Sequence, residues 1–534
     1  MKHRAIIYTD NTEQVLPLAE FLVQSDWEIA SSGATAEFLT AHGVPVSVEK
    51  AIDAPLKQGD AFIHLMDMVF SSRQNAEEGR FGGGTQVSLV CINVRIGGAS
   101  PGDFLKESIT ECGIDLKRIS LIRAAAKNYD NVLVLTDPAD YQEAVDQLRI
   151  GSVERSFRLY LAGKALNYTS AYDAAASISI LADNGFVDFP EYFMAPLKKI
   201  QRLHHGMNEQ QPACLYSLDD AVGALSGMKK IQGRELDGTI IVNYFAAWKA
   251  VSFFQDVIRK QLVVETTDGE GNSFTTRFTP ASGSVFVAAV RNGTLVCAAL
   301  GSNVCDAYLK IFRCMPYFSG DEVLGCNAVI DGGTAQEIAK SRLRAIVAPD
   351  FTAEARQIFA ECKDVRLVTA SRTISRYLEF LSIDGGIVAQ HPDKEFFKRW
   401  HIATKARPTQ QQIDAMSFGM MLAMVAKSDA AVVVNDFSAI GVASGRTDKI
   451  EAVQGAVCGA ERCLQNGLTS SDTSAEILAS DSCIPFDDRI RRIADIGVKA
   501  VIQSGGTEGD GAFIDFCNER GIAMVFTGIR HLSF

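Results

Sequence analysis

No stretch of this sequence stays apolar over the roughly 20 residues that a bilayer-crossing helix needs. Runs such as Ala430–Val434 and Val285–Val290 are strand-length, so no membrane partner is expected. No secretory leader is expected either, because the basic start Met1–Arg4 leads only into the short apolar stretch Ala5–Tyr8, which reads as a first β-strand. C-x-x-C spacing is missing too. The 12 cysteines are scattered singly, and the nearest pair, Cys458 and Cys463, lies five positions apart. That excludes the usual zinc and dithiol motifs and points to buried, reduced thiols in a cytoplasmic protein without a metal or redox cofactor. Positive charge is in deficit: 52 Lys and Arg face 64 Asp and Glu, and the net charge of −12 argues against nucleic acid as a partner. Low-complexity tracts and short-period repeats are absent.

What remains is an ordinary globular composition, 47% hydrophobic and 22% charged over 534 residues, long enough for about three or four folding units. Its patterning is α/β. Over residues 1–145, strand-like segments (Arg4–Tyr8, Trp27–Ala30, Ala61–Met66, Val87–Val94, Asn131–Leu135) alternate with helical spacing (Thr12–Gln24, Thr35–Ala41), which predicts a parallel sheet covered on both faces. A helical connector is expected over 146–199 and a second, larger α/β region over 200–534. Within that region Thr266–Thr279 reads as an exposed hairpin or loop. Near the end, the strand Ala500–Gln503 runs into the glycine-rich turn Ser504–Gly511, the helix Phe513–Arg520 and a last strand, Ala523–Phe526.

Three strand-to-helix junctions carry small or hydroxyl-bearing residues: Thr9–Thr12, Ser31–Ala36 and the glycine-rich turn. Free backbone N–H groups at such junctions can hold an anion, and the same residue types serve equally as helix caps. On the residues alone both readings stand.

Taken in order, several segments resemble the bifunctional AICAR formyltransferase/IMP cyclohydrolase family of purine biosynthesis. The most specific are Ile122-Arg123-Ala124-Ala125-Ala126-Lys127-Asn128, Thr136-Asp137-Pro138-Ala139-Asp140-Tyr141, Thr169–Ala175, His205-Gly206-Met207-Asn208, Val347–Phe351, Ser480–Phe486 and the ending Gly521–His531. The resemblance spans nearly the whole chain. It implies an N-terminal methylglyoxal-synthase-like parallel-sheet domain for ring closure, and a C-terminal formyltransferase region of two cytidine-deaminase-like α/β subdomains. It also implies a homodimer, with a nucleotide and a folate as small-molecule partners and 10-formyltetrahydrofolate as co-substrate. The implied chemistry needs a base for the amine proton, a donor for the developing oxyanion and an anchor for the nucleotide phosphate.

Carried over by position, the resemblance puts Asp115 and Lys127 beside the ring-closure site as catalytic groups. Thr12, Ser31, Ser32, Gly33, Thr35 and Arg123 fall where the family binds its nucleotide. In the formyltransferase region the corresponding substrate-binding positions are His204, Gly206, Asn208, Arg446, Lys449, Asp481, Phe486, Gln503, Gly505 and Gly506, with His205, Asp429 and Arg530 as catalytic candidates. The sequence departs from the family pattern mainly at chemical positions. No lysine falls in Asp60–Leu65, the expected tyrosine is Arg95, and the Gly-Gly after Asp115 is Lys117-Arg118. The family's Lys-His pair would fall in Ser284–Gly293, which contains neither residue, and its Arg-Tyr is His204-His205. Formyl transfer is therefore the expected activity ahead of ring closure. A catalytically silent nucleotide-binding homologue, or an enzyme with altered chemistry on a related phosphorylated substrate, are the alternative readings.

Overall fold

The computed structural model describes residues 2–51, 59–70, 85–94, 115–183, 189–195, 197–218, 224–259, 263–268, 271–278, 284–316, 318–371, 378–465 and 475–533. Arg95 and the segment from 95 to 114 lie outside the described residues. The chain forms two compact units, residues 1–198 and 199–534.

The first unit is built on a five-stranded sheet of β1 (Lys2–Thr9), β2 (Glu28–Ser31), β3 (Ser47–Val48), β4 (Thr85–Asn93) and β5 (Leu133–Leu135), in the order β3-β2-β1-β4-β5. All its pairings are parallel. Consecutive residues Ala5, Ile6 and Ile7 are each fully buried, as a strand covered on both faces requires. The covering helices are α1 (Thr12–Gln24), α2 (Gly33–Ala41), α3 (Gly59–Phe70), α4 (Leu116–Lys127), α5 (Tyr141–Ile150) and α6 (Arg155–Asp183).

Two expectations are corrected here. Ala61–Met66 is not a strand but the middle of α3: its buried residues, Leu65 and Val69, stand four apart, and a short apolar run does not by itself tell a helical stripe from a strand. The helix expected as a connector is α6, and it joins the first core through Leu161, Ala162, Ala165 and Tyr172. The Tyr172 hydroxyl accepts the Asp115 N–H at 2.8 Å.

The second unit holds a 14-stranded sheet in which one pattern occurs twice. The first copy runs from α7 (Gly238–Arg259) to β11 (Val285–Arg291), β12 (Thr294–Gly301), α8 (Val304–Cys314), β13 (Val323–Cys326), α9 (Gly332–Ala339), β14 (Ala345–Ala348), α10 (Ala353–Ala360) and β15 (Arg366–Ala370). The second runs from α11 (Gln410–Val425) to β19 (Ala431–Asn435), β20 (Ser438–Ala443), α12 (Lys449–Gln465), β21 (Ile477–Ser480), β22 (Ala500–Gln503), α13 (Asp510–Arg520) and β23 (Ala523–Phe526). In each, the opening strand pairs antiparallel with the next two, and the following pairs are parallel.

Alternate side chains of these strands feed opposite layers. Phe286, Ala288 and Val290, with Val432 and Val434, pack against α7 and α11 on one face. On the other face, Val287 and Ala289 meet α8–α10, while Ala431 and Val433 meet α12 and α13. The two copies join edge to edge where β12 meets β20, at Ala299 and Ser438.

The segment expected as a loop or exposed hairpin is a hairpin of β9 (Val263–Thr267) and β10 (Ser273–Arg277), but it is not wholly exposed. Thr266 and Asp268 are buried, because β9 pairs with β18 (Trp400–Ile402), which pairs in turn with β23. The first copy thus lends two strands to the far edge of the second. The sheet ends beyond β15 in β8 (Met228–Gln232). Two ribbons stand outside it: β6 (Leu197–Arg202) with β7 (Cys214–Leu218), and β16 (Glu379–Ile383) with β17 (Gly386–Gln390). Among the described residues no helix is long and apolar enough to cross a membrane.

Candidate active site

Asp115 and Lys127 stand at the two ends of α4, about 18 Å apart along its axis at 1.5 Å per residue. Asp115 is the N-cap, accepting the Arg118 N–H at 2.9 Å and its guanidinium at 2.7 Å, and that guanidinium lies 5.0 Å from the Tyr8 ring centre. Lys117 is buried and donates to the Ala51 carbonyl at 2.9 Å. The two residues that replace the family's glycines therefore fill the space at the helix start.

Other first-unit candidates are likewise engaged within the protein. Ser31 Oγ donates to the Ile7 carbonyl at 2.7 Å. Thr35 Oγ1 bridges both backbone groups of Thr9 at 3.1 Å. Arg123 pairs with Asp173 and donates to Thr169 on α6. Gly33, with φ +55°, opens α2 behind its N-cap residue Ser32, and Thr12 opens α1. Ser31 and Thr35 thus tie their junction to β1, and Arg123 ties α4 to α6.

In the second unit the structure gathers Asp429, Arg446, Lys449 and Asp481 in one place. Lys449 and Asp481 form an ion pair, with side chains 6% and 0% exposed. The Lys449 ammonium also meets Asp429 Oδ1 at 3.1 Å and the Ala430 carbonyl at 3.3 Å. Asp481 accepts the Ala430 N–H at 3.1 Å and the Ser428 hydroxyl at 2.5 Å. Three acceptors saturate an ammonium, so Lys449 and Asp481 hold the 427–430 loop rather than present charge to a ligand. Asp429 is the partly exposed member, and its backbone pairs with Arg446 on both sides at 3.3 Å. The Arg446 side chain is exposed and lies over Gly455 of α12. Arg530 is exposed, and among the described residues neither arginine has an ion-pair partner.

The C-terminal tail closes over this cluster and carries a residue that the sequence reading passed over. The His531 N–H donates to the Asp481 carbonyl at 2.8 Å, and Ser533 and Ser428 exchange two bonds at 2.8 and 3.0 Å. His531 is 1% exposed, its Nδ1 lies 2.6 Å from Asp393 Oδ2, and its Nε2 is buried without a hydrogen-bond partner among the described residues. Its place in the matched ending Gly521–His531 was the available signal. Asp393 had none, being more than a hundred residues away.

The glycine-rich turn is not an open anion cradle. The Asp510 carboxylate occupies it, accepting the N–H groups of Gly506 and Thr507 at 2.7 and 3.2 Å and the Thr507 hydroxyl at 2.5 Å. Gly505 has φ +69°, and a Cβ there would sit 2.7 Å from the Phe526 ring. Gln503 is fully buried and accepts the Ile484 N–H at 2.5 Å. Phe486 stacks with Phe513 and Phe516 beneath Arg491.

A cavity of about 860 Å³ is lined by His205, Asn208 and Asp237 and by Arg234, Arg342, Arg344 and Arg366, with further polar residues. His205, in a loop after β6, donates Nδ1–H to the Gly206 carbonyl at 3.0 Å, which leaves Nε2 as the free nitrogen. Close approach of the backbones needs glycine at 238, where a Cβ would sit 2.7 Å from the Gly206 carbonyl carbon. Asn208 is held by Gln211 at 3.1 Å. Arg366 pairs with Asp237 at 3.3 Å and Arg234 with Asp364 at 2.6 Å. Arg342 and Arg344 have no ion-pair partner among the described residues. His204 points elsewhere, 3.7 Å from Glu235 and exposed. Among the described residues no group of three or more His, Cys, Asp or Glu is arranged to hold a metal.

Comparison with known proteins gives one consistent answer. Residues 125–458 match the family model described as "AICARFT/IMPCHase bienzyme". Curated relatives include the "Bifunctional purine biosynthesis protein PurH" of Clostridium acetobutylicum, 32% identical, and that of Clostridium kluyveri, 30% identical, each covering all of both chains. A solved structure described as "Crystal structure of ForH" aligns with 34% of this chain and all of its own at 24% identity and a TM-score of 0.30, a likeness on which nothing is built.

Proposed function

Because the chain belongs to the AICARFT/IMPCHase bienzyme family, we propose that it is a formyltransferase of purine biosynthesis, moving a formyl group from 10-formyltetrahydrofolate to the amino group of AICAR. The observation that carries this reading is the relationship over the full length of the chain. The cavity beside His205 supports it, since it combines a histidine with one free ring nitrogen and two arginines without ion-pair partners. Arg342 and Arg344 anchor the nucleotide phosphate there, in place of the family arginine that is His204 in this sequence. His205 Nε2 takes the proton that leaves the amine as the new C–N bond forms. Such a base contributes about 10²–10⁴-fold in rate. His205→Ala therefore lowers kcat by about 100-fold with little change in KM, whereas Arg344→Ala raises KM for AICAR and leaves kcat nearly intact.

Ring closure is not part of the proposal. The buried Lys117 and the Arg118 side chain fill the start of α4, and Asp115 is engaged as the cap of Arg118, which argues against ring closure. Protein incubated with AICAR and 10-formyltetrahydrofolate should release tetrahydrofolate and formylated AICAR without IMP. IMP at a comparable rate would overturn this account of the first unit. The absence of Lys and His from β11 favours the second reading, a silent nucleotide-binding homologue. No tetrahydrofolate, together with calorimetric binding of AICAR, would select it. The protein acts as a cytoplasmic homodimer in this proposal. The exposed apolar side chains Phe380, Leu381, Ile383, Ile387 and Val388 of the β16–β17 ribbon supply a surface that a second copy covers.

A further inference from the structure

Cys314 ends α8 in the first copy of the repeated pattern, and Cys463 lies in the last turn of α12 in the second. Their sulfurs are 2.8 Å apart across 149 residues of sequence. Cys314 touches the cores of both copies. Bonded sulfurs stand about 2.05 Å apart, so closure asks for a movement of under about 1 Å. A third thiol, Cys297 on β12, also bonds to Cys314, but it is turned toward the Ala439 carbonyl at 3.3 Å.

We propose that Cys314 and Cys463 are a disulfide-forming site that ties the two copies together when the protein meets a low-molecular-weight disulfide such as oxidised glutathione. Cys314 is the entry point, because it is partly exposed while Cys463 is 2% exposed. The Cys314 thiol loses its proton and attacks one sulfur of the reagent, expelling one thiolate. Cys463 then loses its proton and attacks the Cys314 sulfur of the mixed disulfide, expelling the second. Two protein thiols are oxidised, one reagent disulfide is reduced to two thiols, and the two protons end on the released thiolates.

Both thiols are pushed above the ordinary cysteine range. Hydrogen bonding to Cys297 raises Cys314, and hydrogen bonding to Cys314 together with burial raises Cys463. The reaction is accordingly slow at neutral pH and faster in mild alkali, where more thiolate exists. The bond links α8 to α12 across the β12–β20 seam. Closing so long a loop restricts the unfolded chain, and a rise in Tm of several degrees follows.

The full-length protein is treated with excess oxidised glutathione in mild alkali, denatured in acid, and its free thiols counted and mapped without reduction. The expected result is loss of two thiols, a peptide joining 314 to 463, a raised Tm, and reversal of all three by dithiothreitol. Cys463→Ser and Cys463→Ala should each abolish the crosslink, and Cys297→Ser should not. A 297–314 linkage, a two-thiol loss that survives both Cys463 variants, or no crosslink in protein that stays folded would each overturn the proposal.

Discussion

At the scale of single residues, the buried ion pair tests the separation of structure from chemistry. Lys449 and Asp481 were expected to bind substrate, yet every hydrogen-bonding position of the ammonium is taken by the protein. Removing one partner of a buried pair leaves an uncompensated charge and costs about 3–5 kcal/mol. Lys449→Met should therefore lower the unfolding free energy in denaturant titrations by that order, and any loss of activity should follow the loss of folded protein. Gly505 makes a second test. Alanine there meets the Phe526 ring in a left-handed backbone, so Gly505→Ala should lose about 1–3 kcal/mol, measured in the same way. The positions of these residues were legible in the sequence and their partners were not. Lys449, Asp481 and Asp429 stand out in the motif order, but whether an ammonium faces a ligand or three protein oxygens depends on loops that meet only in the folded chain. His531 sat in a matched segment and was passed over because its partner, Asp393, carries no local signature.

At the scale of elements, periodicity was informative where helices have one dry face and strands have two. Thr12–Gln24 is helical over the predicted range, and the last two strands lie where the apolar runs end. It failed at Ala61–Met66, where six apolar-rich residues fit either period. Helix α6 gives a prediction at this scale. Its Lys164 lies 2.7 Å from both Asp137 and Asp140, pinning α6 to the turn before α5. Burial alone would raise the Asp137 carboxyl, but the hydrogen bond and charge of Lys164 and the Ala139 N–H outweigh it and hold the group below its ordinary value. A depressed carboxyl stabilises the fold above its unfolded pKa, about 3.9, and loses that contribution as pH falls through the folded value. The stability difference between the parent protein and Lys164→Met should thus be present at neutral pH and vanish in acid, when thermal melts are compared across pH. A difference that persists unchanged in acid would show that α6 is held by packing alone.

At the scale of the whole molecule, a two-stranded ribbon with apolar residues exposed along it is a poor structure for a solitary chain. Phe380→Glu combined with Ile387→Glu should convert a dimer to a monomer in sedimentation velocity, with the fold of both units retained by circular dichroism. The duplicated pattern of the second unit was not legible as a sequence repeat. What the two copies share is strand order and the alternation of inward-facing side chains, and many different residues satisfy those.

The position of β23 has a consequence for biosynthesis. Its four residues, 523–526, are an interior plank of the sheet, with β22 on one side and β18 on the other. Strands made some 120 and 260 residues earlier, β18 and β9, pair with each other and with β10 but join the rest of the sheet only once β23 has been made. A nascent second unit must wait half-assembled on the ribosome. Premature stop codons even in the final turn of α13 should yield insoluble product rather than a shortened enzyme.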